Sequence, residues 1–351
     1  MKSQNMLRKA LIALIILAVT VGAVVGGSAV LEKIQNNRKA QTQETEIAHS
    51  MKWTDDNTLY LMDEAWGFDH RIETYLFIGT DASGNEEASG KDYRGAMADF
   101  LLLLVMDHTD DTYGFIQLDR NTITEIKRID SSGEQYDDYE EQLCTAHWYG
   151  SNKEESAVNT VDAVKNLLGE IENITGYYVL NMKDVPTLNH VIGGVEIEID
   201  EDLTSIDPAF VEGTTIILND AQAEQYVRAR MSVGEGDNVS RMRRQRIYIN
   251  SFFKKAKSKA KTDPQFADDL WDALEDVSVS DMNGNVFSRI AEMVRSGESK
   301  GILTLDGETK LGTVLGDGVE HEEFYPSEES ILDVMKQLFS LELIEEDEEE
   351  E

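Results

Sequence analysis

The chain has 351 residues, 41% of them hydrophobic, enough to bury a sizeable core as one large or two small domains. Its 68 acidic against 32 basic residues leave a formal charge of -36, which excludes a nucleic-acid-binding surface spread over the whole protein. The single cysteine, Cys144, excludes an intrachain disulfide and reads as an inert, partly buried thiol; six scattered histidines with no HxxxH or CxxC pairing argue against a zinc site of familiar spacing.

Residues 1–9 carry Lys2, Arg8 and Lys9 and no acid, and read as a cytoplasmic N-terminus. Ala10 to Leu31 are 22 residues without a charge. As a helix they would span about 33 Å, enough for the roughly 30 Å hydrocarbon core of a membrane. The run exceeds the apolar region of a cleavable signal peptide, and Gly26 to Ala29 is a weak cleavage site, so the spacing predicts an uncleaved signal anchor with the bulk of the chain outside. Residues 32–72 read as a stalk ending in a short helix, Asp55 to Trp66, that packs Leu59, Leu61 and Met62 inward.

From Glu73 the pattern is globular. Continuous apolar runs at 74–79 and 98–106 predict strands buried on both faces. A third strand, 113–118, follows the second across a short turn, which predicts an antiparallel hairpin inside the sheet. Residues 130–152 read as polar loop. Val158, Val161, Val164, Leu167 and Leu168 recur at helical spacing and predict a helix over 154–171. A strand at 177–180, a helix at 183–192 stopped by Gly193 and Gly194, a strand at 195–199 and an extended piece at 214–218 follow. Asn219 reads as the N-cap of a helix running to about Arg228. Residues 237–261 predict a long helix whose lysine-rich end suits the negative end of its own dipole. Helices at 265–274 and 285–296, extended segments at 277–280 and 300–308, and a last helix capped by Ser327 complete residues 263–343. The acidic tail 344–351 reads as disordered.

Tyr226 to Arg246 carries Arg228, Arg230, Arg241, Arg243, Arg244 and Arg246. Arginine presents a planar fork that binds phosphate bidentately, so this segment predicts an anion site in an otherwise acidic chain. The alternative is a solvated basic face, or arginines paired with the acidic surplus. Asp81, Asp99 and Arg120 stand at the ends of the three predicted strands, and a buried strand that opens on aspartate needs a partner for it. Carboxylates near an arginine cluster are the parts of a phosphoryl-transfer site: arginines clamp the phosphates and carboxylates hold Mg²⁺.

The ordered segments GTD, ADFLLLLVMD, LDRNT, ITGYYVLNM, VIGGVEIEID, LNDAQAEQYVRAR and DNVSRMRRQR, over about residues 73–255, resemble the LytR-CpsA-Psr family of cell-envelope proteins. The most specific part is the pairing of the VRAR segment with RRQR downstream. The resemblance implies one α/β domain, a central mixed sheet with helices on both faces and a channel for a prenyl chain, behind one N-terminal transmembrane helix. It implies a phosphotransferase that moves an anionic glycopolymer from an undecaprenyl pyrophosphate carrier to peptidoglycan at the cell membrane, with no nucleic acid as partner. Carried over to this chain, Asp81 and Asp99 match the carboxylates linked to Mg²⁺ or Mn²⁺, and Asp99 and Arg120 are the catalytic candidates. Arg120, Arg228, Arg230, Arg241, Arg244 and Gln245 match the pyrophosphate clamp. Met97 stands where the family has an arginine, for which Arg94 is the expected substitute, and Asn121 stands where it has an aspartate. Those departures motivate a second reading, a non-catalytic relative that binds polyprenyl-phosphate lipids or organises wall assembly. Arg228 and Arg230 cannot share a helical face, so the helix before them must end there for both to reach one ligand.

Overall fold

The computed structural model describes residues 51–344, apart from 55–57, 62–63, 82–83, 89, 172–173, 230–237, 264 and 267–277, of which 269 and 273 are described. The predicted span at 10–31, Met62, Arg230 and most of the acidic tail lie outside the described residues. Among those described, no helix is long and apolar enough to cross a membrane. In chain order the first strands are β1 (Lys52–Trp53), β2 (Thr58–Leu61), β3 (Glu64–Gly67), β4 (Ile72–Thr80), β5 (Ala98–Asp107), β6 (Thr112–Leu118), β7 (Ile123–Ile129) and β8 (Gln135–Gln142). Then come α1 (Lys153–Leu167), β9 (Ile174–Asn181), α2 (Val185–Ile192), β10 (Val195–Glu198), β11 (Thr215–Leu218), α3 (Asp220–Arg228) and α4 (Asn238–Thr262). The chain continues through β12 (Ser278–Ser280), α5 (Gly284–Ser296), β13 (Glu298–Thr304), β14 (Gly307–Gly312), β15 (His321–Pro326), α6 (Glu328–Phe339) and β16 (Glu342–Leu343).

The continuous apolar run of β5 is explained by the two cores it separates. Successive side chains on a strand point to opposite faces. Leu102, Leu104 and Met106 enter a core with α2, α3, α4 and α5, while Leu101, Leu103 and Val105 enter another with α1 and α6. The sheet is mixed, in the order β12-β9-β4-β5-β6-β13: β4 runs parallel to β9 and β6 to β13, and the other pairs are antiparallel, including the predicted β5–β6 hairpin. A single α/β body with helices on both faces of a mixed sheet is therefore what the chain builds.

Two stretches differ from expectation. The predicted helix from Asp55 to Trp66 is instead β2 and β3, part of a small antiparallel sheet β1-β2-β3-β16. Leu59 and Leu61 are buried on either side of the exposed Tyr60, which is the period of a strand. The described residues between 51 and 72 are thus packed against the body rather than extending as a stalk; Trp53 is buried and its Nε1 donates to the Leu168 carbonyl at 3.0 Å. The expected loop at 130–152 holds β8, the second arm of a hairpin with β7, and a 3-10 turn from Leu143 to Trp148. The sequence QYDDYEEQ has poor strand propensity, and pairing with β7 overrides it.

The helix ends follow their caps. Asn219 accepts from the Gln222 amide in a capping box, Ser327 accepts from that of Ser330, and α2 stops at Gly193 with φ 80°. The lysines at the end of α4 serve a neighbour: Lys255 donates to the carbonyls of Gly193 and Gly194, and Lys259 to that of Val191 at 2.6 Å, all at the C-terminus of α2.

Candidate active site

The site forms where β4 ends, β5 begins and β6 ends. Asp81 follows β4; its Oδ1 accepts from the Met97 amide at 3.0 Å, and its own amide donates to the Met97 carbonyl at 2.9 Å. This reciprocal pair ties the end of β4 to the segment that leads into Asp99. His147 holds the same segment: burial lowers its pKa to about 4, and its neutral ring donates from Nδ1 to the Ala96 carbonyl at 3.0 Å.

Asp99 is met from two directions. Arg120, at the end of β6, donates from Nη1 to Asp99 Oδ1 at 2.5 Å, and Arg241, in the first turn of α4, reaches Oδ2 at 3.3 Å. Both guanidiniums are almost fully buried. Three of the predicted residues therefore converge, Asp99 and Arg120 from neighbouring strands and Arg241 from more than a hundred positions further along the chain. Arg120 Nη2 donates to two sulfurs, Met97 Sδ at 2.9 Å and Cys144 Sγ at 2.7 Å, so Cys144 is fully buried against a candidate catalytic arginine and is not the partly buried bystander expected. Burial pushes the Cys144 thiol up, against the pull of Arg120. Arg120 Nε is buried with no partner among the described residues.

Two residues that the sequence reading missed hold Arg241. Asn238 Oδ1 accepts from Arg241 Nη2, and Asn238 Nδ2 donates to Asp119 Oδ1 at 2.5 Å. Burial, with Glu322 nearby, raises the Asp119 carboxyl pKa. Asn121, in the place of the expected aspartate, donates from Nδ2 to Glu322 Oε2 at 3.0 Å, and its carbonyl accepts from Phe324, which binds the loop to β15. The available signal was position: Asp119 directly precedes Arg120 just after β6, and Asn238 lies three residues before Arg241 on one helix face.

The rest of the expected clamp is dispersed. Arg244 is fully buried; it donates from Nε to the Tyr226 carbonyl at 3.2 Å, from Nη1 to Glu201 at 2.6 Å and from Nη2 to the Ala229 carbonyl. It splints the end of α3, with each of its three guanidinium nitrogens engaged, although it stands three residues from Arg241. Arg228 pairs with Glu224 at 2.6 Å one turn back on α3 and is half-exposed. The helix does end at Arg228, where Ala229 turns to ψ 133°, as two ligand-facing arginines would require. Arg94 is exposed and stacks its guanidinium on the Trp148 ring at 4.2 Å. Gln245 lies in the wall of an apolar pocket, where its Nε2 donates to the Val227 carbonyl at 3.4 Å and its Oε1 has no partner among the described residues. Phe77, Phe100, Leu188, Tyr248 and Phe252 form much of the pocket.

Carboxylate is the donor type that Mg²⁺ and Mn²⁺ take, and near Arg120 both oxygens of Asp99 and one of Asp81 already accept hydrogen bonds. Asp81 and Asp99 offer two carboxylates, and Mg²⁺ is commonly held by one or two carboxylates together with substrate phosphates and water. Another group, His70, Asp107 and Asp110, brings three ligand atoms within 4.8 Å of one another. It lies at the far end of β5, about 27 Å from Asp99 along the strand. Asp107 there already accepts from His70 at 2.6 Å, Ser340 at 3.0 Å and the amides of Thr109 and Asp110.

Compared with protein families, residues 26–339 match the model of the LytR_cpsA_psr family. No curated protein matches by sequence. Among solved structures, gbs0355 from Streptococcus agalactiae has TM-score 0.58 and 20% identity, covering 77% of this chain and 88% of that one. B. subtilis TagV has TM-score 0.54 and 18% identity over 78% of this chain and 98% of that one. TagT bound to LIIa-WTA has TM-score 0.54 and 17% identity over 77% of this chain and 90% of that one. At these identities the likeness is one of fold.

Proposed function

The chain belongs to the LytR_cpsA_psr family, and on that premise we propose that it is a membrane-anchored phosphotransferase. It moves an anionic glycopolymer from an undecaprenyl pyrophosphate carrier to peptidoglycan in cell-wall assembly. The observation that carries this reading is the junction of two buried arginines on Asp99 with an apolar pocket on the same α4 helix. An amphiphile with a charged head and a hydrocarbon tail is the ligand such a junction suits. TagT, of the same fold, was solved with LIIa-WTA bound, which supports a lipid-linked glycopolymer as the donor class.

Arg120 and Arg241 bind the carrier pyrophosphate and take up the charge that develops on its oxygens, a role in which fixed donors act without reorganising. Asp99 orients both guanidiniums. Asp81 and Asp99 are the residues that would hold Mg²⁺ or Mn²⁺, which when bound neutralises pyrophosphate charge. The acceptor hydroxyl of a peptidoglycan sugar attacks the sugar-proximal phosphorus and forms the new P–O bond. The bond from that phosphorus to the bridging oxygen breaks, and undecaprenyl phosphate leaves with the bridging oxygen and its electron pair. Asp99 is assigned one of two roles, taking the hydroxyl proton or orienting the metal. Residues 10–31 are the anchor, with the folded body outside the cell membrane.

The test uses the full chain in detergent with a polyprenyl-pyrophosphate saccharide, Mg²⁺ and a peptidoglycan fragment, following release of polyprenyl phosphate. Release that depends on Arg120 and Arg241 supports the transferase. Binding without release in the unaltered protein would overturn it in favour of a lipid-binding relative.

A further inference from the structure

Five arginines between Tyr226 and Arg246 are described, and four of them meet a carboxylate. Arg228 meets Glu224, Arg241 meets Asp99, Arg243 meets Asp200 and Glu201, and Arg244 meets Glu201. Arg246 is the exception. Its Nη1 donates at 2.5 Å to the neutral amide oxygen of Gln117, and among the described residues no carboxylate bridges it. In a chain with 68 acids to 32 bases, pairing with an acid is the expected fate of an arginine, so the missing counter-charge is a feature to be explained.

The surroundings are built. Gln117 is 1% exposed, and its Nε2 donates to the Met242 carbonyl of α4 at 3.4 Å, which turns its Oε1 towards Arg246. Burial, with Arg243 adding repulsion, lowers the Arg246 pKa to about 10, so at neutral pH it remains a cation. Its Nε and Nη2 have no protein acceptor among the described residues and are not sealed from solvent. The helix also divides the space. Gln245, Tyr248, Ile249 and Phe252 face the apolar pocket, whereas Met242 and Arg246 lie along β6. Arg246 is five residues beyond Arg241, about 7.5 Å along the helix axis. It is therefore displaced from the Asp99 junction and, about 100° round the helix from Gln245, lies to one side of the hydrocarbon pocket.

We propose that Arg246, oriented by Gln117, is a specificity-determining subsite for an anionic substituent, phosphate or carboxylate, on the glycan that is transferred. This rests on the transferase reading and names what its donor carries. A neutral glycan would leave a half-buried cation unpaired, whereas a phosphate or carboxylate meets the two open donors with charge-assisted hydrogen bonds.

The experiment measures binding of three polyprenyl-pyrophosphate donors to the full chain in detergent: one with a neutral disaccharide, one with a glycerol-phosphate on that disaccharide, and one with a uronic acid in it. The unaltered protein is expected to bind at least one anionic donor about tenfold more tightly than the neutral one. Arg246→Gln abolishes that preference and leaves the neutral donor bound as before. Arg246→Lys, which keeps the charge, retains part of the preference. Whichever anionic donor is favoured identifies the substituent. Three results overturn the proposal while sparing the clamp: equal binding of all donors by the unaltered protein, a preference that survives Arg246→Gln, or a preference lost as fully in Arg246→Lys. Binding of no donor by the unaltered protein overturns the proposal and the transferase reading together.

Discussion

The two ends of β5 carry the same side chain in different company. Asp99 opens the strand and is met by Arg120 and Arg241, two groups that stay cationic at any working pH. Asp107 closes it and is met by His70, the Ser340 hydroxyl and two backbone amides. Every partner of Asp107 is neutral or titratable, and together they fasten the segment before β4, the β5–β6 turn and the end of α6 to the sheet. The partners of Asp99 are permanent charges, one of which, Arg120, has a buried Nε with no partner among the described residues, beside a pocket without polar filling. A buried aspartate at a strand end is thus a fastening at one end and the organiser of an anion site at the other. The difference lies in which charges the fold brings to it.

The largest effect expected is at the Asp99 end. Arg120→Ala and Arg241→Ala each lower turnover, read as polyprenyl phosphate release, by about a thousandfold. A change below tenfold in both would erase the distinction between the two ends. Next is Arg244→Ala, which leaves two carbonyls unpaired and Glu201 with Arg243 as its ion-pair partner; folding stability by denaturant titration falls by about 3 kcal/mol. If carrier binding fell while stability held, Arg244 would belong to the clamp after all. Asp107→Asn strands part of its network and costs about 2 kcal/mol of stability, with turnover per folded molecule unchanged. A loss of turnover there would mean that both ends serve the reaction.

The smallest effect is a pH dependence confined to the Asp107 end. The hydrogen bond to Asp107, against the opposing effect of burial, raises His70 above its ordinary 6.5. Its contribution is therefore fully present below about pH 6.5 and is lost as pH rises through the raised value. Burial pushes Asp107 up, but His70 and the amides outweigh it, so the carboxyl sits below its ordinary 3.8. Its contribution is present above about pH 4 and is lost as pH falls through the lowered value. Melting temperature should decline between pH 6.5 and 9 in the unaltered protein and decline less in His70→Gln. Equal slopes in the two proteins would remove His70 from the account.

Much of the framework was legible in the sequence because its cause is local. Continuous apolar runs can be buried only from two sides, and so marked β4 and β5. Asn219 and Ser327 capped the helices they precede, and Gly193 stopped the one it follows. Segments without such a signature were misread: β2 and β3 are too short for two residues of alternation to outweigh a helical reading, and β8 is acidic and depends on β7 for its pairing. At the site, residue types and order pointed to Asp99, Arg120 and Arg241 through the family they resemble. Spacing alone could not say that Arg244, three positions from Arg241, turns to Glu201 and the end of α3.

What the sequence determined by itself was the buried central strands, the limits of several helices and the concentration of arginine in one acidic chain, because propensity, capping and hydrophobic period act over a few residues; the α/β layering was implied by the family resemblance. The tertiary structure alone decided which arginine meets which acid. Ion pairs such as Arg241 with Asp99 join residues 142 positions apart. Their energy depends on distance and burial, which exist only once β5, β6 and α4 are packed together.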